Sequence, residues 1–384
     1  MSRSQSLLVW ILFFLTFSLG VCAADAPLEV LYAQLNSTIL TYNIDPQTLQ
    51  GTLVGQPLKA KGSAVYLRVV PAPDDHFLYV LSGTQQSPAQ TLSVYATDES
   101  GVPQAPAVQV LGPGLISSFI IDPNGRFAYM FTYVMNADGT STYKLRLFSI
   151  DRESGKLVES QRVQATYTED SYCFPAFNSF DADGDQLVDV LGCGYPDINS
   201  ITYYFRTVDS RTGQLGPDVQ FFQINDAVGS SGDEVTVGRR TFVDLHQQLN
   251  PFQESVQVYA RKVNPGNPII NCTTAMLQAC GETGGYVPDI TGRYLAMSLS
   301  STFDIVRIDL KNKQLVDTGN SFPSTFQPYF SPDDSIMYAV NYQFPNGNST
   351  IQIYGFDPNT GGLTMGGQIS IPPILWNVIP ARRR

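Results

Sequence analysis

A phrase recurs along this chain: a short apolar run, a tight Pro-Asp or Pro-Asn turn, then a second apolar run carrying a tyrosine. It reads VYLRVVPAPDDHFLYVLS around Pro73, SSFIIDPNGRFAYMF around Pro123, GYVPDITGRYLAMS around Gly292 and QPYFSPDDSIMYAVN around Pro332. Self-similarity at a period of roughly 40–55 residues signals an array of supersecondary units, none of which buries its apolar face alone.

A second repeated element follows each copy. The turns DPQTLQGTL from Asp45, DRESGKL from Asp151, DSRTGQL from Asp209, DLKNKQL from Asp309 and DPNTGGL from Asp357 join further strand pairs. Asp opening and Gly closing a turn is the chemistry of a tight antiparallel reversal. Segments such as TLSVYAT, YKLRLFSI, ITYYFRTV, SVQVYARK, FDIVRIDL and TIQIYGF alternate with period two, and no segment keeps a 3.6-residue apolar period. Each unit therefore has four strands, A to D, and four-stranded antiparallel units in series make a β-propeller.

The expected fold is all-β, a seven-bladed propeller with blades 2 to 7 at 64–112, 114–168, 171–226, 233–278, 284–321 and 324–372. Six or eight blades are the alternatives, because blade 5 lacks the phrase. Blade 1 has strands B and C in LEVLYAQLN and STILTYNID but no A strand before them; ILWNVIP, 374–380, has the required character. N- and C-terminal strands sharing one blade would close the ring and remove an exposed edge.

The pairing of PNGRFAYM or SPDDSIMYAVN with DxxTGxL resembles the lactonase-like propellers, the 6-phosphogluconolactonase and YVTN-repeat group, over essentially the whole chain. That resemblance implies a central-channel site with His, Arg and Glu on the inner strands. The arginine-histidine pair that some members carry before the Ser-Pro-Asp turn corresponds here to Phe326 and Gln327, and in blade 3 to Ser117 and Ser118. These positions lack the groups that would polarise or hydrolyse a lactone. The two histidines offer little in their place: His76 sits in a turn and His246 on a strand of blade 5. Tyr66, Arg68, Tyr172, Tyr286, Tyr329 and Trp376, on A strands, are the candidate channel residues for binding a sugar or peptide, the alternative being packing between blades.

In blade 4 the A–B turn becomes FDADGDQLVDVLGCG. Asp181, Asp183, Asp185 and Asp189 fall at loop positions 1, 3, 5 and 9, with the Leu187 carbonyl at 7, and alternate oxygen ligands of this kind suit Ca²⁺. The spacing resembles the calcium loops of FG-GAP and integrin-type blades, although Gln186 stands where those have Gly. A structural calcium is expected, with a solvated acidic hairpin as the alternative.

The N-terminus carries Arg3, the uncharged run Leu7 to Val21 and a small-residue junction, which reads as a signal peptide over 1–23 followed by one propeller domain over 24–384. Cys22 behind Leu19 and Gly20 leaves lipid anchoring as the lesser alternative. No other run is apolar enough to span a membrane. Four cysteines then remain, and an even count after export suggests disulfides Cys173–Cys193 and Cys272–Cys280 rather than free thiols. Asn36, Asn271 and Asn348 begin glycosylation sequons. The net charge of -11 excludes a nucleic-acid partner, and the terminal Arg382-Arg383-Arg384 reads as a solvated tail. The expected product is a secreted or periplasmic monomer that binds a protein or glycan without catalysis, or else a lactonase-like hydrolase or isomerase of a sugar lactone.

Overall fold

The computed structural model describes residues 28–383 except 36, 61–63, 85–86, 171–172, 182, 194–199, 226–235, 238–240, 250–251, 261–267, 274–276, 278–279, 281–282, 300–301, 326–327, 342–347 and 372–374. The expected leader and Asn36 lie outside the described residues. Every described strand belongs to an antiparallel sheet, and the sheets number seven among the described residues. Six have four strands; blade 3 has a fifth, Ala165–Asp170, laid beside its third strand Thr140–Ile150. The fold is a β-propeller of four-stranded blades.

Blade 1 runs Leu375–Arg383, Leu28–Leu35, Thr38–Ile44, Gly51–Lys59, so the C-terminal strand is its A strand, as the missing element in the sequence required. The strand does not stop at Pro380. Arg382 and Arg383, expected as a free tail, are strand residues paired with Glu29 and Leu28. The reason is local: eight residues of Leu28–Leu35 offer a full ladder, and Glu29 offers Arg382 a carboxylate. Blade 5, which lacks the phrase, still makes four strands between Thr236 and Cys272.

The strands are apolar on both faces because each blade is covered on both sides. Along Phe77–Thr84, Phe77, Tyr79 and Leu81 join a cluster with blade 3 residues, while Leu78 and Val80 join a cluster with blade 1. Tyr294–Leu299 repeats the pattern, with Tyr294 and Ala296 facing blade 7 and Leu295 and Met297 facing blade 5. The period-two pleat makes this division, and each such side chain contributes about 1.5–3 kcal/mol on burial.

The recurrent phrase and the recurrent turn are two halves of one contact between blades. Phe77 lies where a side chain on Gly155 would be, and Phe127 and Tyr294 stand in the same relation to Gly213 and Gly361. These turn glycines have φ of +67°, +70° and +73°, so a side chain there meets both strain and an aromatic ring. Two residues past the phenylalanine, the phrase tyrosine completes the lock: Tyr79 donates its hydroxyl to the Gly155 carbonyl at 2.8 Å and Tyr129 to that of Gly213 at 2.7 Å. Tyr32 of blade 1 likewise reaches Gly101 at 2.7 Å.

Both disulfides are present. Cys173 and Cys193 face each other across paired strands of blade 4, and Cys272 and Cys280 close a short loop of blade 5.

Candidate functional site

Two openings of different chemistry emerge from the blades. The first is a basin of about 660 Å³ at the end of the ring where the A–B turns gather, lined by Pro73, Pro123, Asp181, Asp289, Asp334 and Arg382 among others. Each described turn closes in the same way, the N–H of its fourth residue donating to the carbonyl of its first: Asp75 to Ala72, Gly125 to Asp122, Gly184 to Asp181, Gly292 to Asp289 and Asp334 to Ser331. That fourth residue has positive φ in all five turns; three times it is Gly and twice Asp, a residue whose short polar side chain tolerates the left-handed region. The opening aspartates are spent on the same turns, Asp122 Oδ1 accepting the N–H groups of Arg126 and Phe127, and Asp289 Oδ1 those of Arg293 and Tyr294.

The two aspartates at left-handed positions reach across blades instead. Asp334 accepts the N–H groups of Ile290 at 2.8 Å and Thr291 at 3.0 Å, and Asp75 accepts the Tyr32 hydroxyl at 2.8 Å. Burial pushes Asp75 up to about 8 and Asp334 up to about 7, against the opposing pull of those hydrogen bonds. Glu29 is pushed up to about 7 by burial and by the charge of Asp333, while Arg382, 3.1 Å away, pulls it down. Arg382 also contacts Asp333, so one guanidinium ties blade 1 to blade 7. The basin is acidic, but its carboxylates hold turns and blades together.

The second opening is a groove of about 410 Å³ between blades 2 and 3, bordered by Gln90, Ser117, Tyr133, Asn136, Ser141 and Tyr143 among others. The strands Phe127–Met135 and Thr140–Ile150 bring Tyr133 and Tyr143 into register, and their rings stack with centroids 5.3 Å apart. Tyr143 is buried and donates its hydroxyl to the carbonyl of Cys173 at 3.0 Å, a residue fixed by its disulfide. Asn136 shapes the hairpin tip by donating to Thr140 Oγ1 at 2.8 Å and Thr142 Oγ1 at 2.9 Å. No charged side chain lines the groove among the described residues.

Of the residues expected in the channel, only Tyr286 and Tyr329 have described side chains. Tyr66 and Arg68 lie on Ala64–Pro71, opposite Gly83 and Leu81, but their side chains, like that of Trp376, lie outside the described residues. Tyr172, Phe326 and Gln327 are outside them altogether, and so is the His246 side chain. Tyr286 is buried between blades 5 and 6 among Val256, Cys272 and Met297, where it packs in the core. Tyr329 is half-buried against the blade 7–blade 1 cluster. Ser118 is also structural, its Oγ accepting the Phe177 N–H of blade 4 at 3.2 Å.

Of the five donors expected to hold calcium, Asp181, Leu187 and Asp189 have other roles in the fold. Asp181 serves its turn, accepting the Gln186 N–H at 2.9 Å, exactly the role of its counterparts Asp122 and Asp289. Leu187 and Asp189 lie within the strand Gln186–Cys193, paired on both sides. Asp189 is buried and bonded to Arg206 at 2.9 Å, and burial pushes it up to about 6 despite that partner. Asp183 and Asp185 remain exposed on the hairpin. No group of three or more acidic, His or Cys side chains among the described residues is arranged to hold a metal.

Sequence reasoning missed Arg206, the Glu29–Arg382 pair and the Tyr133–Tyr143 platform. A signal existed only for the last: the two tyrosines flank the turn NADGT at mirrored distances, as opposed residues of a hairpin must.

No protein-family model matches the chain, and no curated protein matches it by sequence. By structure it is similar to the periplasmic gluconolactonase of Pseudomonas aeruginosa, with a TM-score of 0.55 and 14% identity, over 92% of this chain and 99% of that one. It is also similar to a functionally unknown protein of Desulfotomaculum acetoxidans, with a TM-score of 0.51 and 14% identity, over 91% and 100%. At such identities the likeness is one of fold.

Proposed function

We propose that the seven sheets are the blades of one closed ring and that the chain is a secreted or periplasmic monomer that holds a ligand without transforming it. The observation that carries this reading is how the ionisable groups of the basin and of the turns and strands around it are used. Asp122, Asp181, Asp289 and Asp334 accept backbone N–H groups, Asp75 accepts a tyrosine hydroxyl, and Glu29 and Asp333 are joined by Arg382. A general base needs an acceptor free to reach the substrate; each of these carboxylates has an oxygen engaged in the fold, and the second oxygens of Glu29, Asp75 and Asp122 are buried. The disulfides and the fold likeness to a periplasmic protein support the compartment. Among the described residues no helix is long and apolar enough to cross a membrane.

The second reading, hydrolysis or isomerisation of a sugar lactone in the channel, is favoured by that same fold likeness. Incubation with glucono- and galactono-lactones, followed by NMR, separates the two: ring opening no faster than in buffer supports the binding reading, and enzyme-dependent turnover ends it. Calcium on the blade 4 hairpin stands as a narrower proposal, resting on the exposed Asp183 and Asp185. Melting curves that coincide in calcium and in chelator would end that proposal.

A further inference from the structure

We infer that the groove between blades 2 and 3 is a binding site for an uncharged sugar ring, Tyr133 being its stacking platform. The inference rests on the binding reading above and gives it a ligand class. A volume of about 410 Å³ lies within the range of roughly 300–1,000 Å³ typical of small-molecule sites.

The platform is built before any ligand arrives. Tyr143 backs Tyr133 at 5.3 Å, and its own hydroxyl is fixed on the Cys173 carbonyl. A ring held this way loses little freedom on binding, which is where affinity is otherwise lost. Tyr133 is itself only half-buried, at the open side of the stack. The surrounding polar groups are amides and hydroxyls: Asn136 spends its N–H groups on Thr140 and Thr142 and keeps its carbonyl as an acceptor, Thr140 donates to Asp138, and the amide of Gln90 can pair with hydroxyls of either polarity. A pyranose presents an apolar C–H face and a rim of hydroxyls, which matches an aromatic platform inside a neutral polar border.

The same groove selects against other ligands. An ionised uronate or sugar phosphate finds no counter-charge among the described lining residues and loses its hydration on entering. An extended peptide finds little free edge: Phe127–Met135 is paired with Thr140–Ile150 up to Met135 and with Ile116–Ile121 up to Thr132, which leaves only the short end Val134–Met135 open on one side. Met135, more than half exposed and on the same strand face as Tyr133, adds an apolar lip on which a second ring can rest.

The test uses the full chain, its Tyr133→Ala and Tyr133→Phe variants, and titration calorimetry with neutral malto-, cello- and galacto-oligosaccharides, oligogalacturonate and an unfolded casein peptide. The expected result is binding of at least one neutral series, weakened about tenfold or more by Tyr133→Ala and only a few-fold by Tyr133→Phe. Circular dichroism melts of the variants confirm that the fold is kept. Neutral-sugar binding that survives Tyr133→Ala overturns the groove while leaving the binding reading intact. Binding of oligogalacturonate or casein alone overturns the ligand class, and no binding by any probe overturns the inference. Lactone turnover, measured separately, bears on the binding reading and not on the groove.

Discussion

The seams within the ring and the seam that closes it solve one packing problem in opposite ways. Between blades 2 and 3, 3 and 4, and 6 and 7, the bulk is on the earlier blade, where Phe77, Phe127 or Tyr294 projects, and the hole is a turn glycine of the later blade. Between blades 7 and 1 the arrangement is inverted. Leu49 occupies the turn position with φ of +57°, and the holes are Gly366 and Gly355 on blade 7 strands. A Cβ on Gly366 would lie 2.2 Å from that of Leu49. Tyr338, at the phrase-tyrosine position of blade 7, has no hydrogen-bond partner for its hydroxyl among the described residues, whereas Tyr79 and Tyr129 have theirs. Blades 7 and 1 are joined by a shared apolar cluster that includes Leu49 and the phrase residues Ile336, Tyr338 and Val340, and by Arg382 on Glu29 and Asp333, while the ladder between the two chain ends completes blade 1. The comparison teaches that the same repeat can lock its neighbour with the bulk on either side of the seam.

The largest effect expected is from deleting residues 375–384, which removes the A strand of blade 1 and exposes the Leu28–Leu35 edge. Loss of a single cooperative transition in urea, followed by tyrosine fluorescence, is the outcome; an unchanged midpoint would show that blade 1 does not depend on its C-terminal strand. Next come the two kinds of hole. Gly213→Ala and Gly366→Ala each should cost several kcal/mol, about 2–4, through overpacking, the first with added φ strain. Their rescue should differ: Leu49→Gly should recover part of the Gly366→Ala loss, while leaving Gly213→Ala unimproved. A double-mutant cycle with no coupling between 49 and 366 would refute the inverted seam.

Arg382→Ala leaves Glu29 buried without its cation and should cost about 1–3 kcal/mol near neutral pH. It also connects to pH. Glu29 and Asp334, raised to about 7, and Asp75, raised to about 8, keep protons in the folded state that the unfolded chain has released. Their contribution is complete below the ordinary carboxylate range and is lost as pH rises through the folded values. Denaturation midpoints should thus fall from pH 5 to pH 8.5, and Glu29→Gln should flatten that fall. A midpoint that rises over this window contradicts the assignment. The smallest effect is Tyr129→Phe, about 1 kcal/mol, from one lost hydrogen bond to Gly213; Tyr338→Phe, with no such bond, should be close to neutral by the same melt.

The blade boundaries were readable because period-two alternation and Asp-to-Gly turns are local, and a strand buried on both faces must be apolar throughout. The pairing of ILWNVIP with LEVLYAQLN was readable for the same reason, one A strand being missing at the start and one left over at the end. The candidate site was not readable to that degree. Asp189 sits four residues after Asp185, which suits a loop ligand, but it lies in a strand and its carboxylate pairs with the guanidinium of Arg206 on the neighbouring strand, seventeen residues away. Tyr286 has the position of a channel residue and the packing of a core residue.

The sequence by itself determined the repeating unit, its four strands, the turn that ends each pair and the cysteines that join, since all of these depend on residues close along the chain. Only the tertiary structure decided that the phrase tyrosine and the turn glycine meet across blades, that Leu49 inverts the closing seam, and that Tyr133 stacks on Tyr143 in an uncharged groove. The physical reason is that these contacts depend on where separate units come to rest against one another, and side-chain packing at that boundary has no counterpart in local spacing.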